Sequence, residues 1–89
     1  YGEDYNTAVC LMSLGYDSRA LDVMLKQPDT SDRNYLLSIL YSRLGREKEA
    51  LKMYVRSCDQ DDSNIWRGKL DPEINKLIVT YNLYKDELY

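Results

Sequence analysis

The sequence predicts an all-α fold of tandem antiparallel helix hairpins, closed by a C-terminal amphipathic helix. Two observations carry this prediction. Apolar residues recur three or four positions apart along most of the 89 residues, which is the spacing of one helix face. In addition, the segment LGYDSRALDVM is followed by a similar segment, LGREKEALKMY, at a constant offset of 30 residues. A fixed period of this kind indicates stacked repeat units.

The first hairpin is predicted to occupy residues 1–30. Apolar positions from Tyr5 onward form a helical stripe that stops at Gly15, a residue type that commonly follows a helix end. A second helix then begins near Asp17 and ends before Pro28, because proline cannot continue a helix. We expect the turn at Gly15 to fold the second helix back on the first.

The second hairpin is predicted to occupy residues 31–60 and has the same order of elements. A helix capped near Thr30 runs toward Gly45, and another helix follows it. Glu47 and Glu49 lie in the first turn of that last helix, where negative charge suits the helix dipole. The sequence therefore predicts two consecutive helix–turn–helix units over residues 1–60.

The last third of the chain departs from this pattern. Residues 61–71 contain aspartate, serine, asparagine and glycine, and we predict a polar linker there. Asp71 followed by Pro72 is typical of a helix start, and an amphipathic stripe continues beyond it. We therefore predict a closing helix over residues 72–89, and a degenerate third repeat is the alternative.

Equivalent positions of the two hairpins carry the residues that we expect to pack the repeat. Glycine allows a left-handed turn, and small residues allow two helices to approach closely. The predicted packing residues are Ala8, Leu14, Gly15, Ala20, Ser38, Tyr41, Leu44, Gly45, Ala50 and Tyr54. One hairpin cannot bury its own apolar face, so we expect the hairpins to stack on neighbours.

Composition limits the classes of function. The net charge is −3 and no run is rich in lysine or arginine, which disfavours nucleic acid and anionic membranes as partners. Histidine, the commonest general base, is absent, and no Cys/His cluster has metal-ligand spacing. We therefore expect no enzyme activity, no cofactor and no metal. No segment is long and apolar enough to insert into a membrane.

The two cysteines, Cys10 and Cys58, fall at apolar helical positions. We expect both to be small buried residues of a reducing compartment, which indicates an intracellular protein of the cytoplasm or nucleus.

Three short features of the sequence invite a functional interpretation. The segment DQDDSN lacks the glycine and the final glutamate of a calcium loop, and Gly68 lacks the glycine neighbours of a phosphate loop. We interpret both as ordinary surface sequence. Trp66 is either an exposed anchor for a partner or a residue that closes the second hairpin, and we favour the second interpretation.

The second hairpin resembles the tetratricopeptide repeat. The matching residues are Ser38, Tyr41, Leu44, Gly45, Ala50, Tyr54 and Ser57. The first hairpin matches at Ala8, Leu14, Gly15 and Ala20. The period of 30 is shorter than the family's period of about 34 residues. The resemblance implies a fragment of an α-solenoid that acts as a non-catalytic protein-interaction scaffold.

The resemblance also implies a concave ligand groove on the first helix of each hairpin. Its positions in this chain are Tyr5, Val9, Met12, Tyr35, Ile39, Ser42 and Arg43. The groove is largely apolar and lacks the lysine and asparagine with which some members hold a terminal carboxylate. It therefore suits a helix or a peptide, whereas the alternative is that these residues are buried against neighbouring helices.

The short period and the segments YLLSILY and RGKL are similar to the N-terminal repeats of scaffold subunits of the anaphase-promoting complex, a cell-cycle ubiquitin ligase. That similarity implies complex assembly and homodimerisation. A helical repeat of the clathrin or vesicle-tether type is an alternative, and an RNA-reading repeat is a weaker one because it requires a basic groove. We expect the partner to be a protein helix, a peptide, a second copy of the chain or flanking repeats.

Overall fold

A computed structural model of the chain describes residues 4–81, and the regular secondary structure in that range is entirely helical. The helices are α1 (Tyr5–Ser13), α2 (Asp17–Leu25), α3 (Ser31–Arg43), α4 (Glu47–Gln60), α5 (Ser63–Leu70) and α6 (Pro72–Tyr81). No strand occurs among residues 4–81, so the all-α prediction is confirmed. The predicted closing helix beyond residue 81 lies outside the described residues.

Side-chain caps fix the starts of three helices. Asp4 accepts a hydrogen bond from the backbone N–H of Thr7 at 2.8 Å, which satisfies an otherwise unpaired donor at the start of α1. Thr30 and Asp71 cap α3 and α6 in the same way. Pro72 is the first residue of α6, a position where its missing N–H removes no helical hydrogen bond.

The turns after α1 and α3 have the same backbone hydrogen bonds, displaced by 30 residues. After α1, Gly15 donates to the carbonyl of Met12 at 3.0 Å. Tyr16 then donates to the carbonyl of Leu11 at 2.9 Å. After α3 the equivalent bonds run from Gly45 to Ser42 (3.1 Å) and from Arg46 to Tyr41 (2.8 Å). Both glycines have positive φ, 85° and 79°, so the repeated Leu-Gly segments form two identical helix ends.

Each helix contacts the next one along the chain, and α3 also contacts α6. Helix α3 therefore packs mainly against α2, α4 and α6, and it lies at the centre of the core. The buried apolar residues are Ala8, Met12, Ala20, Leu21, Val23, Met24, Tyr35, Leu37, Ile39, Leu40, Ala50, Tyr54, Cys58, Ile74, Leu77 and Ile78.

The predicted polar linker is wrong, because most of residues 61–71 form helix α5. Two residues that suggested a loop make tertiary contacts instead. Asn64 is buried and donates to the carbonyl of Ser57 at 3.1 Å. Gly68 lies against the ring of Tyr54, and a Cβ atom at Gly68 would lie 2.5 Å from that ring. The polar side chain and the glycine therefore attach α5 to α4.

Three apolar side chains predicted to be buried are exposed. Cys10 is exposed because it lies on the side of α1 opposite Ala8, which faces the core, whereas Cys58 is buried as predicted. Leu14, predicted to pack the repeat, is 69% exposed in the turn after α1. Trp66 is 67% exposed, since the opposite side of α5 faces Tyr54, and it does not close the second hairpin.

A polar network joins the loop before α3 to helix α4. Asn34 is fully buried and donates to Asp29 and to Gln60, in each case at 2.6 Å. Asp29 also forms an ion pair with Arg56 of α4. Hydrogen bonds from Arg56, Asn34 and Gln60 hold the pKa of the Asp29 carboxyl well below its usual value.

We expect Gly45→Ala to lower the free energy of unfolding by about 1 to 2 kcal/mol, because alanine is strained at positive φ. Gly45→Asn is the matched control and should lower it less, since asparagine tolerates this conformation. Urea unfolding followed by circular dichroism measures both. Equal losses in the two variants would contradict the assignment of the effect to backbone conformation.

Asp29→Asn should destabilise the chain at pH 7, and the difference from the wild type should shrink as the pH falls. A depressed carboxyl pKa stabilises the fold above the unfolded-state value of about 4, and this contribution is lost as the pH falls toward the lower folded-state pKa. Urea unfolding at pH 7, 4 and 2.5 measures the difference. Asp59→Asn is the control for loss of one exposed charge. A difference in the free energy of unfolding between wild type and Asp29→Asn that stays constant with pH would show that the Asp29 carboxyl does not cause the pH dependence.

Candidate protein-binding surfaces

The predicted groove residues of α3 lie on a face that α6 covers. Tyr35, Ile39 and Arg43 are four residues apart and share this face. The Tyr35 hydroxyl donates to Asp71 at 3.2 Å, and the Arg43 guanidinium pairs with Glu73 at 2.9 Å. Tyr35 is only 1% exposed and Ile39 only 6%. Tyr35 and Ile39 are therefore not open to a ligand, and the prediction of an open groove is wrong at these two positions.

Arg43 connects three parts of the chain. Besides its pair with Glu73, its Nη1 atom donates to the Asp17 carboxylate at 3.2 Å and to the Met12 carbonyl at 3.3 Å. The hydrogen bond to Glu73, followed by the one to Asp17, raises the pKa of Arg43. The guanidinium N–H groups of Arg43 thus donate to acceptors of α1, α2 and α6, so Arg43 joins α3 to these three helices.

Arg67 of α5 has a comparable position at the other end of α3. Its guanidinium lies 4.1 Å from the centre of the Tyr35 ring and 3.4 Å from the Asp32 carboxylate. Burial, followed by the charge of Asp71, raises the pKa of the Tyr35 hydroxyl, and this hydroxyl donates to Asp71. The Tyr35 ring also meets Tyr54 edge to face, with centroids 6.3 Å apart. Tyr35 is therefore a contact point of α3, α4, α5 and α6.

The α1 half of the predicted groove is only partly open. Tyr5 and Val9 are half-buried, and Met12 is buried in the core. Burial, followed by the charge of Asp32, raises the pKa of Tyr5. The seven predicted positions therefore do not line one continuous open groove.

A shallow cleft of about 420 Å³ lies beside the α3–α6 contact. Its lining residues are Ser42, Gly45, Glu47, Lys76, Leu77 and Thr80. Ser42 is the only predicted groove residue among them. The lining is mixed in polarity and contains charges of both signs, unlike the mostly apolar enclosed sites that hold small molecules.

The predicted packing residues are divided between the core and the turns. Those fully buried are Ala8, Ala20, Ser38, Ala50 and Tyr54. Gly15 and Gly45 form the turns, whereas Tyr41 and Leu44 are half-buried against the core. Leu14 is the apolar side chain of this set that is largely exposed.

An exposed apolar surface lies on α5, where the sequence analysis named an exposed Trp66 only as the less favoured interpretation. Trp66 is 67% exposed and Leu70 is 83% exposed, and these two residues, the α5 pair, are one helical turn apart. The ammonium group of Lys69 lies 4.7 Å from the centre of a Trp66 ring. The spacing in IWRGKL is the sequence signal for this pair, but it is informative only once α5 is known to be a helix.

Other kinds of site find little support in the described part of the chain. Residues 4–81 contain no group of three or more His, Cys, Asp and Glu side chains able to hold a metal ion. Within the same range, every buried side-chain nitrogen or oxygen has a hydrogen-bond partner. The described helices also include none with the length and apolar character needed to cross a bilayer.

Comparison of the chain with models of protein families, with curated proteins and with solved structures finds no match.

We expect Tyr35→Ala to lower the free energy of unfolding by about 3 to 5 kcal/mol, because it removes a fully buried aromatic ring. Tyr16→Ala is the matched control, since Tyr16 is exposed, and its effect should stay within about 0.5 kcal/mol. Thermal and urea unfolding measure both variants. Similar stability of the two variants would mean that Tyr35 lies at the surface after all.

Proposed function

We propose that this chain is a non-catalytic protein-interaction module of the tetratricopeptide-repeat type. It binds a helix, a peptide or a second copy of itself within a larger assembly. The observation that carries the proposal is the α5 pair, Trp66 and Leu70, two large apolar side chains exposed side by side on one helix. Grouped exposed apolar residues mark interaction sites, and tryptophan is frequent among the residues that dominate binding energy.

The repeated local structure supports the repeat part of this proposal. The turns at Gly15 and Gly45 have equivalent hydrogen bonds. The small residues Ala20 and Ala50 are fully buried at equivalent positions of α2 and α4. Two copies of one helical unit, each with an apolar face, are typical of proteins that stack repeats and present a surface to a partner.

The attachment of α5 supports its role as the binding element. Gly68 packs on Tyr54, and the Tyr54 hydroxyl donates to the carbonyl of Ile65 at 3.4 Å. Arg67 reaches Asp32 of α3. A helix held at these points presents Trp66 in a fixed position, which lowers the entropy that binding would otherwise cost.

The larger assembly is a separate question. The sequence resemblance suggests an anaphase-promoting-complex-type ubiquitin ligase, and a vesicle coat or tether is the alternative with the same helical architecture. A protein partner is favoured over RNA because the chain has a net charge of −3 and the α5 pair is apolar. The identity of the assembly stays a prediction.

The test compares the wild-type chain with Trp66→Ser/Leu70→Ser. The control is Val79→Ser, which alters another exposed apolar residue on α6. All three chains should unfold at similar urea concentrations, because the altered side chains are exposed. Two measurements are made, sedimentation velocity over a wide concentration range and quantitative capture of partners from cell extract.

The double variant should lose self-association or captured partners that the Val79→Ser variant keeps. Truncating a central tryptophan commonly weakens binding by about 2 kcal/mol or more, roughly 30-fold. If the double variant keeps both the oligomeric state and every captured protein, the α5 pair is not the binding surface and the proposal fails.

A further inference from the structure

Helix α5 differs from the other charged helices in the sign of its charge. It carries Arg67 and Lys69, here called the α5 cations, and no aspartate or glutamate. Helices α2, α3, α4 and α6 each contain at least one acidic residue, and the whole chain has a net charge of −3. The α5 pair therefore lies on a locally positive helix of an acidic protein.

The α5 cations flank the α5 pair on both sides. With 3.6 residues per turn, the two members of the pair lie about 40° apart around the helix axis. The α5 cations lie on either side of them, each about 80° from the midpoint of the pair. The buried residues Asn64 and Gly68 are on the opposite side, toward α4. The exposed surface of α5 is thus an apolar stripe with a positive charge along each edge.

Each of the α5 cations lies on an aromatic ring. The Arg67 guanidinium is 4.1 Å from the centre of the Tyr35 ring, and the Lys69 ammonium is 4.7 Å from the centre of a Trp66 ring. A cation attracted to a ring keeps its charge but loses freedom of movement. Binding costs entropy when a flexible side chain is ordered, and this cost is smaller for a side chain that is already held in place.

Arg67 has donors for a ligand although it also contacts Asp32. That contact is 3.4 Å long, uses one guanidinium nitrogen, Nη1, and joins side chains that are 47% and 66% exposed. Exposed ion pairs of this kind are weak. A guanidinium carries five N–H donors in a planar fork that matches a carboxylate. Arg67 can therefore donate to a carboxylate of a partner while it stays on the Tyr35 ring.

The aspartates ahead of α5 favour a protein ligand over an extended anionic surface. Asp59, Asp61 and Asp62 precede the helix, and all three are exposed. A membrane of anionic lipids or a nucleic acid carries negative charge over a wide area, so it would meet these aspartates as well as the α5 cations. A peptide helix can place its carboxylates at the α5 cations alone. The charge pattern thus suits a ligand whose negative charge is local.

We infer that α5 binds an amphipathic helix of a partner protein that carries aspartate or glutamate beside its apolar stripe. The apolar stripe of this helix covers the α5 pair, and its carboxylates contact the α5 cations. Apolar contact along a helix is a common mode of recognition, and charges at its edge select among partners. The inference rests on the proposed function of the α5 pair, and it adds the chemistry of the partner.

The experiment measures the binding of two synthetic helical peptides that share one leucine stripe. The first has glutamate on both sides of the stripe, and the second has lysine at the same positions. Neither peptide contains tryptophan, so the emission of Trp66, the one tryptophan of the chain, reports contact at α5. Each peptide carries a fluorophore, and its anisotropy is measured as the full chain is added at low and at high salt.

The wild type should bind the glutamate peptide about tenfold or more tightly than the lysine peptide, because like charges at an interface repel. High salt should reduce this difference. Arg67→Glu/Lys69→Glu should reverse the preference. Lys48→Glu/Lys76→Glu is the matched control, since it changes the net charge equally at two exposed lysines outside α5, and it should keep the wild-type preference.

A neutral variant covers the case in which the charge-reversed chain does not fold. Arg67→Gln/Lys69→Gln should bind the two peptides with similar affinity, and circular dichroism shows which variants are folded. The inference is overturned if the wild type binds both peptides equally or does not bind the glutamate peptide. A preference that the matched control also loses would assign the effect to net charge and overturn it as well.

Two other ligands are tested with the same chains. Vesicles of phosphatidylcholine and phosphatidylserine test an anionic membrane, and sedimentation velocity without peptide tests a second copy of the chain. If either interaction depends on the α5 cations while the glutamate peptide does not bind, that ligand takes the place of the acidic helix and the inference is overturned.

The inference and the proposed function fail with different results. If the wild type binds both peptides equally and Trp66→Ser/Leu70→Ser binds neither, the α5 pair is a binding surface but the α5 cations do not select the partner. If the serine variant keeps the preference for the glutamate peptide, the α5 pair is not part of the site and the proposed function fails.

Discussion

The burial of α3 on three sides is the constraint on which the rest of the structure depends. Helices α2, α4 and α6 each contact α3, and Tyr35, Leu37 and Leu40 are almost completely inaccessible as a result. A helix that is apolar on several sides needs several neighbours, and here the third neighbour is α6. Because α6 occupies the face that carries Tyr35, that face contributes to the core. The large apolar side chains that stay exposed among residues 4–81 lie elsewhere, and they are Leu14, Tyr16, Leu25, Val55, Trp66, Leu70, Val79 and Tyr81.

The polar contacts around α3 set the positions of the helices more than they stabilise them. Arg43 and Arg67 contact carboxylates near opposite ends of α3, and all of these groups are partly or largely exposed. Exposed ion pairs contribute about 0 to 1 kcal/mol each, much less than the burial of one large apolar side chain. Their directional hydrogen bonds nevertheless favour one placement of α5 and α6 over others. That placement decides which side of α5 is exposed.

The sequence predicts the parts of the fold that depend on local chemistry. The helical spacing and the glycines that follow α1 and α3 lead to four helices and two equivalent turns, because these features act within a few residues. Helix α5 was missed because Asn64 and Gly68 suggest a loop until their contacts with α4 are known. The groove prediction failed for a similar reason. A pattern of residues on α3 cannot show that another helix of the same chain covers them.

The two repeated units have the same local structure, but equivalent residues in them differ in exposure to solvent. Leu14 and Leu44 occupy the same place in equivalent turns, yet Leu14 is 69% exposed and Leu44 packs against the core. The hydrogen bonds of the turn are determined by nearby residues and recur wherever those residues recur. Exposure instead depends on whether a neighbouring helix is present, which the repeat itself does not encode. The position of a helical unit relative to its neighbours therefore decides whether an apolar residue belongs to the core or stays exposed.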